Sequence, residues 1–511
     1  MQVGANAYSK ARLGAWSWDL SSGEVLRVGA GMAEPYSAAW CAIEYWEAEG
    51  SILRMLLGHV SANTDHQGRS LLCHAILCGN VSAIQILLES GADIEYCVSA
   101  NDGSLFFPIH LAARQGIVSV LRTLIAHGCD LNAKTEAGET ALMLCISLGH
   151  KECFYELLLG GADFGVVNKA GQTVAEAMDA SIYRLTMHHI IWGAILSGKK
   201  LHSSNLESFS ILHFAARYGS MKVMNKILEQ KGLNLNLQDR YGYSALMLAA
   251  KCGNMEVFKV LLFAGASISI RNSKGQNASM LADNSGHKDG CERIIVDAIL
   301  DDVLRDAGFK ALHFAAKRGI SEALAYLLKQ GSPINAWDDD GYTPLMLSVK
   351  EGHTEACKLL LSFGADCYLV NSRGEMALSL ARSSGGNIVV EGILLDHMAK
   401  KLVLAGGDIS KHTREGRGKP HSKLVKMLKC GVLNWGKSKK RNVVCIEASL
   451  GASSKLQKNR KSQGDTDNPG IFRVVTHERE IHFDATTAFA AELWVRGINV
   501  ITKEVMGKNS R

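Results

Sequence analysis

The sequence has little proline, no long apolar run and no paired cysteine motif. Only 6 of its 511 residues are proline, against 50 glycines, which favours regular elements joined by glycine turns over a disordered chain. The longest apolar stretch, residues 190–196, is far shorter than the roughly eighteen residues of a membrane span. Lys10 and Arg12 interrupt the N-terminal segment, so no secretory signal is expected.

The thirteen cysteines are scattered and contain no Cys-x-x-Cys pair. Neither a disulfide framework nor a structural zinc site is therefore expected, and no metal is assigned. Reduced thiols fit a cytoplasmic or nuclear protein best.

The charge is distributed unevenly along the chain. Residues 401–511 contain 22 Lys and Arg against 10 Asp and Glu, a net charge of +12. The first 400 residues carry 34 and 40, a net charge of −6. An acidic body followed by a basic tail predicts two modules with different partners.

A motif of about 33 residues recurs through the body. Each copy has a turn glycine, an apolar segment that often reads His-x-Ala-Ala, a second apolar segment and a closing Gly-Ala-Asp or a variant of it. The clearest central segments are Ile109-His110-Leu111-Ala112-Ala113, Leu212-His213-Phe214-Ala215-Ala216 and Leu312-His313-Phe314-Ala315-Ala316. Turn glycines follow one another at 33-residue steps at Gly138 and Gly171, and at Gly242, Gly275, Gly308, Gly341 and Gly374.

This period and these recurring residues resemble the ankyrin-repeat family, in which a β-turn finger precedes two short antiparallel helices. The resemblance covers about three quarters of the chain and implies a mainly α solenoid with β-hairpin fingers. We expect about ten units over residues 38–405, each stabilised by stacking on its neighbours. The units that start near Gly171 and Gly275 are degenerate, as weak joints or as merely diverged copies. Residues 388–404 should cap the stack.

More narrowly, Trp16-Ser17-Trp18-Asp19 and Trp435-Gly436-Lys437-Ser438 resemble a family of long plant ankyrin-repeat proteins. In that family further repeats precede the Trp-Ser-Trp segment, so this chain is expected to be a shortened form. Residues 1–37 should form a hairpin or partial repeat, with residues 16–28 turning at Ser21-Ser22-Gly23.

The periodicity changes after residue 406. Residues 406–420 are rich in glycine and charge, which predicts a linker, and residues 421–511 alternate as strands before a helix over 486–500. Residues 449–468 are expected to form a long loop. This order resembles a pleckstrin-homology-like domain, a small α+β barrel, with Gly431, Leu433 and Trp435 in its opening strand. The resemblance implies that Trp494 plugs the barrel, and the helix should share one apolar face through Phe489, Leu493, Trp494 and Ile498.

In lipid-binding members of that family, basic residues after the first strand cradle inositol phosphates. The residues that occupy this place are Lys437, Lys439, Lys440 and Arg441. Adjacent cations on a hairpin can converge on a phosphate or an anionic membrane, with arginine giving bidentate contacts. A solvated loop, a protein contact or a nuclear-import signal remains an alternative.

No catalytic residue is assigned. The Gly-x-Gly that begins at Gly29 lacks its third glycine because Glu34 stands there, and no Walker loop, nucleophile elbow or His-Glu-x-x-His segment occurs. His110, His213 and His313 occupy the repeat's fixed histidine position, where they support neighbouring turns. We expect a non-enzymatic protein without a cofactor.

A protein partner should bind to the fingertips and to the face made by first helices, because these positions are not committed to stacking. Arginine and tyrosine are frequent in interface hot spots. The alternative is that these charged residues only keep the surface soluble. The candidate residues are Arg114, Gln115, Arg217, Tyr218, Asp239, Arg240, Tyr241, Lys251, Lys317, Arg318, Asp338, Asp339, Tyr342 and Lys350.

The sequence therefore predicts an intracellular scaffold or adaptor, cytoplasmic or at the membrane periphery. Its solenoid would bind a protein, and its basic domain an anionic surface or a second protein. The alternative is a nuclear regulatory cofactor in which residues 437–441 and 455–461 direct import or contact nucleic acid, although nucleic acid is the less favoured partner. The sequence indicates neither the partner's identity nor the oligomeric state.

Overall fold

The computed structural model describes residues 10–12, 16–18, 25–27, 35–47, 49–66, 69–99, 105–206, 210–230, 232–304, 308–383, 387–413, 418–436, 442–461 and 469–509. The chain forms two compact units. The first comprises Met1–Ala298 and Asp302–Phe309, and the second comprises Ile299–Asp301 and Lys310–Arg511.

Between Ala38 and Ala405 the described helices follow one another in eleven pairs, where the sequence predicts about ten units. The first and second helices of each pair are α1 (Ala38–Glu44) and α2 (Ser51–Leu57), α3 (Leu71–Leu77) and α4 (Val81–Glu89), α5 (Pro108–Gln115) and α6 (Val118–Ala126), α7 (Ala141–Leu148) and α8 (Lys151–Gly160), α9 (Val174–Ala180) and α10 (Arg184–Leu196), α11 (Ile211–Tyr218) and α12 (Met221–Leu228), α13 (Ala245–Cys252) and α14 (Met255–Phe263), α15 (Ala278–Asn284) and α16 (Lys288–Leu300), α17 (Ala311–Arg318) and α18 (Ser321–Lys329), α19 (Pro344–Lys350) and α20 (Thr354–Ser362), and α21 (Ala377–Ser383) and α22 (Ile388–Ala405).

Local sequence explains where many first helices begin and end. An N-cap side chain accepts a hydrogen bond from the backbone N–H three residues on in α7, α9, α13, α15 and α19. At the other end, a glycine in the left-handed conformation closes α5, α7, α11, α13 and α17. Because these signals lie within each repeat, they limit most first helices to seven or eight residues.

The recurrent histidines tie a first helix to the finger that follows it. Nε2 of His110 donates to the carbonyl of Ala133 at 2.9 Å, and Nε2 of His313 donates to the carbonyl of Ala336 at the same distance. His213 lies 3.0 Å from the carbonyl of Leu237. Burial lowers the pKa of each of these imidazoles, so they are neutral near pH 7. The histidines are structural braces in this geometry.

Short strands precede the first repeats and form two fingers between them. In the N-terminal segment, β1 (Lys10–Arg12) pairs with β4 (Pro35–Ser37), and β2 (Trp16–Trp18) pairs antiparallel with β3 (Val25–Arg27). The predicted hairpin over 16–28 is thus present in its two strands, while its turn at 21–23 lies outside the described residues. Two-stranded fingers follow as β5 (Asp65–His66) with β6 (Arg69–Ser70) and β7 (Val98–Ser99) with β8 (Leu105–Phe106).

The C-terminal part of the second unit is a six-stranded antiparallel sheet followed by a helix. Its strands are β9 (Gly407–Lys411), β10 (His421–Met427), β11 (Val432–Asn434), β12 (Asn442–Leu450), β13 (Ile471–Thr476) and β14 (Glu480–Asp484). They pair in the order β10-β11-β12-β13-β14-β9, and β9 also pairs with β10, so the sheet closes on itself. Helix α23 (Ser454–Lys461) interrupts the β12–β13 connection, and α24 (Ala488–Asn509) ends the fold.

Three features of this region differ from the sequence prediction. The strand that contains Leu433, β11, was expected to open the domain, but β9 and β10 of the same sheet precede it. The expected linker over 406–420 contains β9, because Ile409 is buried in the sheet core and the strand pairs on both sides. The loop expected over 449–468 contains α23, whose Leu456 is fully buried despite the polar composition around it. A single apolar residue in a polar stretch is too weak a pattern to predict either packing event.

Trp494 of α24 lies in the core of the closed sheet, with only 2% of its surface exposed. Its ring stacks on Phe472 at a centroid distance of 6.4 Å, and Phe472 stacks in turn on Phe483 at 5.5 Å. Leu493 and Ile498 are also buried, but Phe489 is 38% exposed, because it lies in the first turn of the helix beneath Arg382. The predicted apolar face is therefore shorter than expected.

Candidate functional site

A groove with a volume of about 300 Å³ lies in the first unit, between fingers and first helices of neighbouring repeats. Three helices contribute to it, namely α9, α11 and α13, together with the finger that precedes α13. We call it the repeat groove. Its lining residues are Thr173, Ala175, Glu176, Leu206, Ser210, His213, Phe214, Arg217, Tyr218, Asp239, Arg240, Tyr241, Tyr243, Leu248, Lys251 and Cys252.

One edge of the repeat groove is an ion pair between the finger residue Arg240 and Glu176 of α9. Nη2 of Arg240 lies 2.6 Å from both carboxylate oxygens, and its Nη1 donates to the carbonyl of Gly171. The Tyr241 hydroxyl donates to the same carboxylate at 3.2 Å. Burial disfavours the charged carboxylate, but hydrogen bonds from Thr173 and Arg240 outweigh it and lower the pKa of Glu176.

A second ion pair joins α9 to α11 beside the repeat groove. Asp179, at the end of α9, accepts hydrogen bonds from Arg217 and from the Tyr218 hydroxyl, both on α11. Burial, followed by the bond to Asp179, raises the pKa of Tyr218. Behind this pair, the ring of His188 lies 3.9 Å from that of Tyr218, which fixes the tyrosine from the second-helix side. These contacts fix the position of the Tyr218 side chain, which lines the repeat groove.

Lys251, in the last turn of α13, contacts an aromatic ring. Its Nζ lies 4.8 Å from the ring centroid of Tyr243, the geometry of a cation–π contact. Among the residues that the structure describes, no carboxylate pairs with it. The same arrangement occurs three periods later in the second unit, where Nζ of Lys350 lies 4.8 Å from the ring centroid of Tyr342.

The spacing of the repeats is irregular at this site. Gly171 and Gly242 are 71 residues apart, five more than two periods of 33, so an insertion lies between their fingers. Two hydrogen bonds hold part of that insertion. The Asp163 carboxylate accepts a hydrogen bond from the backbone N–H of Ser204 at 2.9 Å, and the backbone N–H of Phe164 donates to the carbonyl of His202. The contact between Arg240 and Glu176 therefore joins elements about two periods apart.

The structure brings six of the fourteen predicted partner-binding residues to the repeat groove. They are Arg217, Tyr218, Asp239, Arg240, Tyr241 and Lys251. In the same unit, Arg114 lies over the ring of Phe106 and Gln115 faces the carbonyl of Leu77, away from the groove. The remaining six belong to the second unit: Lys317, Arg318, Asp338, Asp339, Tyr342 and Lys350.

Two features of these residues differ from the expectation of a free charged surface. Arg217 and Arg240 are both paired with carboxylates inside the unit, so neither is an uncommitted cation. Tyr342 is only 7% exposed, because its ring packs beneath Lys350, and it is therefore not a fingertip surface residue. Asp339 is likewise paired, with Lys310 at 2.8 Å.

The sequence prediction missed Glu176, Leu206 and Tyr243, which also line the repeat groove. Glu176 carries a sequence signal, since Thr173 and Glu176 form a capping box, but that signal predicts a helix start and not a binding edge. Leu206 lies in the insertion, where no repeat alignment guides the prediction.

A second cavity, of about 740 Å³, lies in the C-terminal sheet of the second unit. We call it the basic cavity, because four cations line it against two carboxylates. Its charged or titratable residues are Lys411, Lys455, Arg473 and Arg479, with His412, His482, Glu478 and Glu480. His482 is buried and accepts the backbone N–H of Ser453 at 3.1 Å, which fixes the start of α23 on the sheet.

The predicted anion-binding residues Lys437, Lys439, Lys440 and Arg441 lie outside the described residues. Within the described ranges, no group of three or more His, Cys, Asp or Glu side chains is arranged to hold a metal ion. A search of the same ranges finds no helix with the length and apolarity to cross a membrane.

Comparison with known protein families gives a match to the ankyrin-repeat model, described as ankyrin repeats in three copies. It covers residues 98–173, 185–272, 278–371 and 312–404, together more than half of the chain. The breaks, at 174–184 and 273–277, fall in the units near Gly171 and Gly275 that the sequence identifies as degenerate.

Individual relatives are similar over shorter ranges. The putative ankyrin repeat protein YahD of Escherichia coli is 25% identical over 208 residues, 40% of this chain and 86% of that protein. Mouse ankyrin repeat domain-containing protein 37 is 33% identical over 93 residues, 18% of this chain and 57% of the relative. The Caenorhabditis elegans dauer abnormal formation protein 25 is 29% identical over 119 residues, 23% of this chain and 30% of the relative.

Among solved structures, the complex of a Bdellovibrio bacteriovorus predatory endopeptidase with an immunity protein contains a similar chain. It is 29% identical, with 36% of this chain and 96% of that chain covered, but the TM-score of 0.27 is too low to support an argument. The family match over most of the repeat region is independent of it, and ankyrin repeats generally mediate protein–protein interaction. This chain therefore belongs to the ankyrin-repeat family.

Proposed function

We propose that this chain is an interaction scaffold that binds a protein partner at the repeat groove. The observation that carries the proposal is the convergence of aromatic, apolar and charged side chains on one concave surface. Interface hot spots are enriched in tyrosine and arginine that lie in such pockets. A small groove of this kind suits one anchoring side chain of a partner with its neighbours.

Apolar surface at the rim supports the proposal. Leu206 and Tyr241 are 52% and 47% exposed, and both line the repeat groove. Deeper in the groove, Phe214 and Leu248 are buried and form its floor. The rim side chains are thus available to a partner, whereas the floor belongs to the fold.

The test compares affinity capture from an extract of the source organism by three forms of the full chain. We expect the double variant Leu206→Ser/Tyr241→Ser to lose partners that the parent retains. The matched control is Ile182→Ser/Leu185→Ser, which removes two exposed apolar side chains of the same unit outside the groove. Partners that bind all three forms equally would contradict a partner site at the repeat groove.

For the C-terminal sheet we propose a pleckstrin-homology-like domain that binds an anionic ligand, as a membrane surface or a phosphorylated protein. The basic cavity favours this function, since cations from several elements converge on one concave surface. Lys437, Lys439, Lys440 and Arg441 are further cations of the same domain, proposed from the sequence alone. A membrane-peripheral scaffold follows from the two activities together.

The full chain is the right sample for the test, because α24 of the sheet domain packs against α22 of the repeats. We expect flotation with vesicles that contain a phosphoinositide. Neutralising Lys439, Lys440 and Arg441 removes about 1 kcal/mol each near an anionic membrane, which is roughly a hundredfold in affinity.

A second variant, Lys455→Glu/Arg479→Glu, tests the basic cavity itself. Its matched control is Lys426→Glu/Lys503→Glu, two exposed cations outside the cavity. Binding of every form to the vesicles with equal affinity would contradict anion binding at this domain. Retention on nucleic acid instead, with nuclear accumulation of a tagged chain, would support the nuclear cofactor as the alternative.

A further inference from the structure

The repeat groove contains three cations, and two of them are neutralised within the unit. Arg217 is paired with Asp179, and Arg240 makes two hydrogen bonds to Glu176. An arginine in such a pair offers less charge to a partner, because the carboxylate balances its charge and engages some of its donors. These two side chains therefore shape the walls more than they attract a ligand.

Lys251 is the exception. Its ammonium faces the ring of Tyr243, and among the described residues it has no carboxylate partner. The ring orients the side chain without cancelling its charge, since a cation–π contact leaves the ammonium's other donors available. The position of Lys251 in the groove therefore favours a partner that carries a negative group there.

Asp239 also lines the repeat groove, but its hydrogen bonds lie within the finger. Oδ1 of Asp239 accepts the backbone N–H groups of Tyr241 and Tyr243, at 2.9 and 2.8 Å. These hydrogen bonds hold the Asp239 carboxylate in the finger turn, and among the described residues it forms no ion pair with Lys251. Among the described cations of the repeat groove, Lys251 is therefore the one that is not paired with a carboxylate.

The repeat groove also contains apolar surface. Phe214 and Leu248 form the floor, and the exposed side chains of Leu206 and Tyr241 stand at the rim. A ligand that offered only charge would leave these rim side chains in water. A ligand that offers an apolar side chain next to a carboxylate satisfies both features.

We propose that the repeat groove recognises a protein segment with an aspartate or glutamate beside a large apolar residue. The carboxylate pairs with Lys251, and the apolar side chain enters the groove between Tyr241 and Leu248. This inference rests on the proposed function of the groove and adds the chemistry of its partner.

The test selects a phage-displayed random peptide library on the purified full chain, on Lys251→Glu and on Lys259→Glu. Lys259 is the matched control, because it also lies over an aromatic ring, that of Phe263, but on the second helix of the same repeat. We expect acidic-apolar motifs on the parent and on Lys259→Glu. On Lys251→Glu these motifs should disappear or be replaced by basic-apolar ones.

A synthetic peptide with the selected motif then gives the affinity. Replacing its carboxylate by the amide should weaken binding to the parent about tenfold, and the same change should have little effect on binding to Lys251→Gln. Thermal unfolding of each variant shows whether it is folded, and an exposed lysine should be replaceable without loss of the fold.

Alkylation of Cys252 distinguishes failure of the acidic-apolar motif from failure of the repeat groove as the binding site. This cysteine is exposed and lines the repeat groove, whereas the other exposed cysteines of the described residues, Cys78, Cys97 and Cys430, lie elsewhere. Peptides that protect Cys252 but lack the acidic residue, or that bind Lys251→Glu equally well, overturn the inference and leave the groove as the binding site. Peptides that leave Cys252 fully reactive overturn the proposed function of the groove itself.

Discussion

Gly497 of α24 lies against the backbone carbonyl of Ala399, in the last helix of the repeats. A side-chain carbon at position 497 would lie 2.5 Å from Cγ2 of Val403 and closer still to the Ala399 oxygen. Ion pairs flank the crossing, from Arg496 to Asp396 and from Lys400 to Glu504. The sheet domain is thus joined to the repeats by direct helix packing.

Replacement of Gly497 by alanine should lower the stability of the second unit. The methyl group has to displace backbone, so we expect a loss of about 1–3 kcal/mol from overpacking. Chemical denaturation of the full chain gives the free energy of unfolding. The control is Gly507→Ala in the same helix, where nothing lies within 4 Å of the added carbon. This change should cost nothing and gain up to about 1 kcal/mol of helix propensity; equal losses at both sites would contradict the close packing.

Trp494→Ala should unfold the C-terminal sheet, since the indole fills its core. Removal of a buried tryptophan costs about 3–5 kcal/mol. Because α24 also packs on α22, hydrogen-exchange protection should fall in α22 as well as in the sheet. A fully protected sheet in this variant would show that the plug role assigned to Trp494 is wrong.

Leu345→Ala should destabilise the second unit by about 2–5 kcal/mol, because Leu345 is buried within α19. Repeats are coupled mainly to their neighbours, so hydrogen exchange should increase most in α17 to α22. Leu424→Ala, at an exposed position of the same unit, is the matched control and should change stability by less than about 0.5 kcal/mol. Loss of protection spread evenly over the whole chain would contradict nearest-neighbour coupling.

Stability should fall as the pH is lowered from about 6.5 towards 4. Burial, with the charge of Arg69 adding to it, lowers the pKa of His74 to about 3, and burial lowers that of His110 to about 4. Below pH 6.5 the unfolded chain binds protons at these histidines while the folded chain does not. The loss is up to about 1.4 kcal/mol per pH unit for each histidine.

Denaturation at pH 7, 6 and 5 measures this slope. His110→Gln should be less stable than the parent at pH 7 but should show a shallower dependence on pH. His59→Gln, at an exposed position, serves as the control. An unchanged slope in His110→Gln would mean that His110 does not contribute to the acid sensitivity.

Much of the repeat architecture could be predicted from the sequence, because its signals are local. The 33-residue glycine spacing, the Ala-Ala pairs and the N-cap side chains act within one repeat, and the copies support one another. The same logic identified six groove residues, since first-helix ends and fingertips have fixed positions in the period. The charge difference between the two parts of the chain is likewise a property of composition alone.

Tertiary structure decided which of these residues act together. Arg240 and Glu176 are 64 residues apart, and the insertion between their repeats hides their contact from any repeat-based prediction. In the same way, Ile409 and Leu456 belong to the sheet domain because long-range packing supplies apolar neighbours that the local pattern does not show. Local periodicity thus determined the repeats, whereas the paired arginines, the contact of Lys251 with Tyr243 and the Gly497 crossing depend on side chains that meet only in the folded chain.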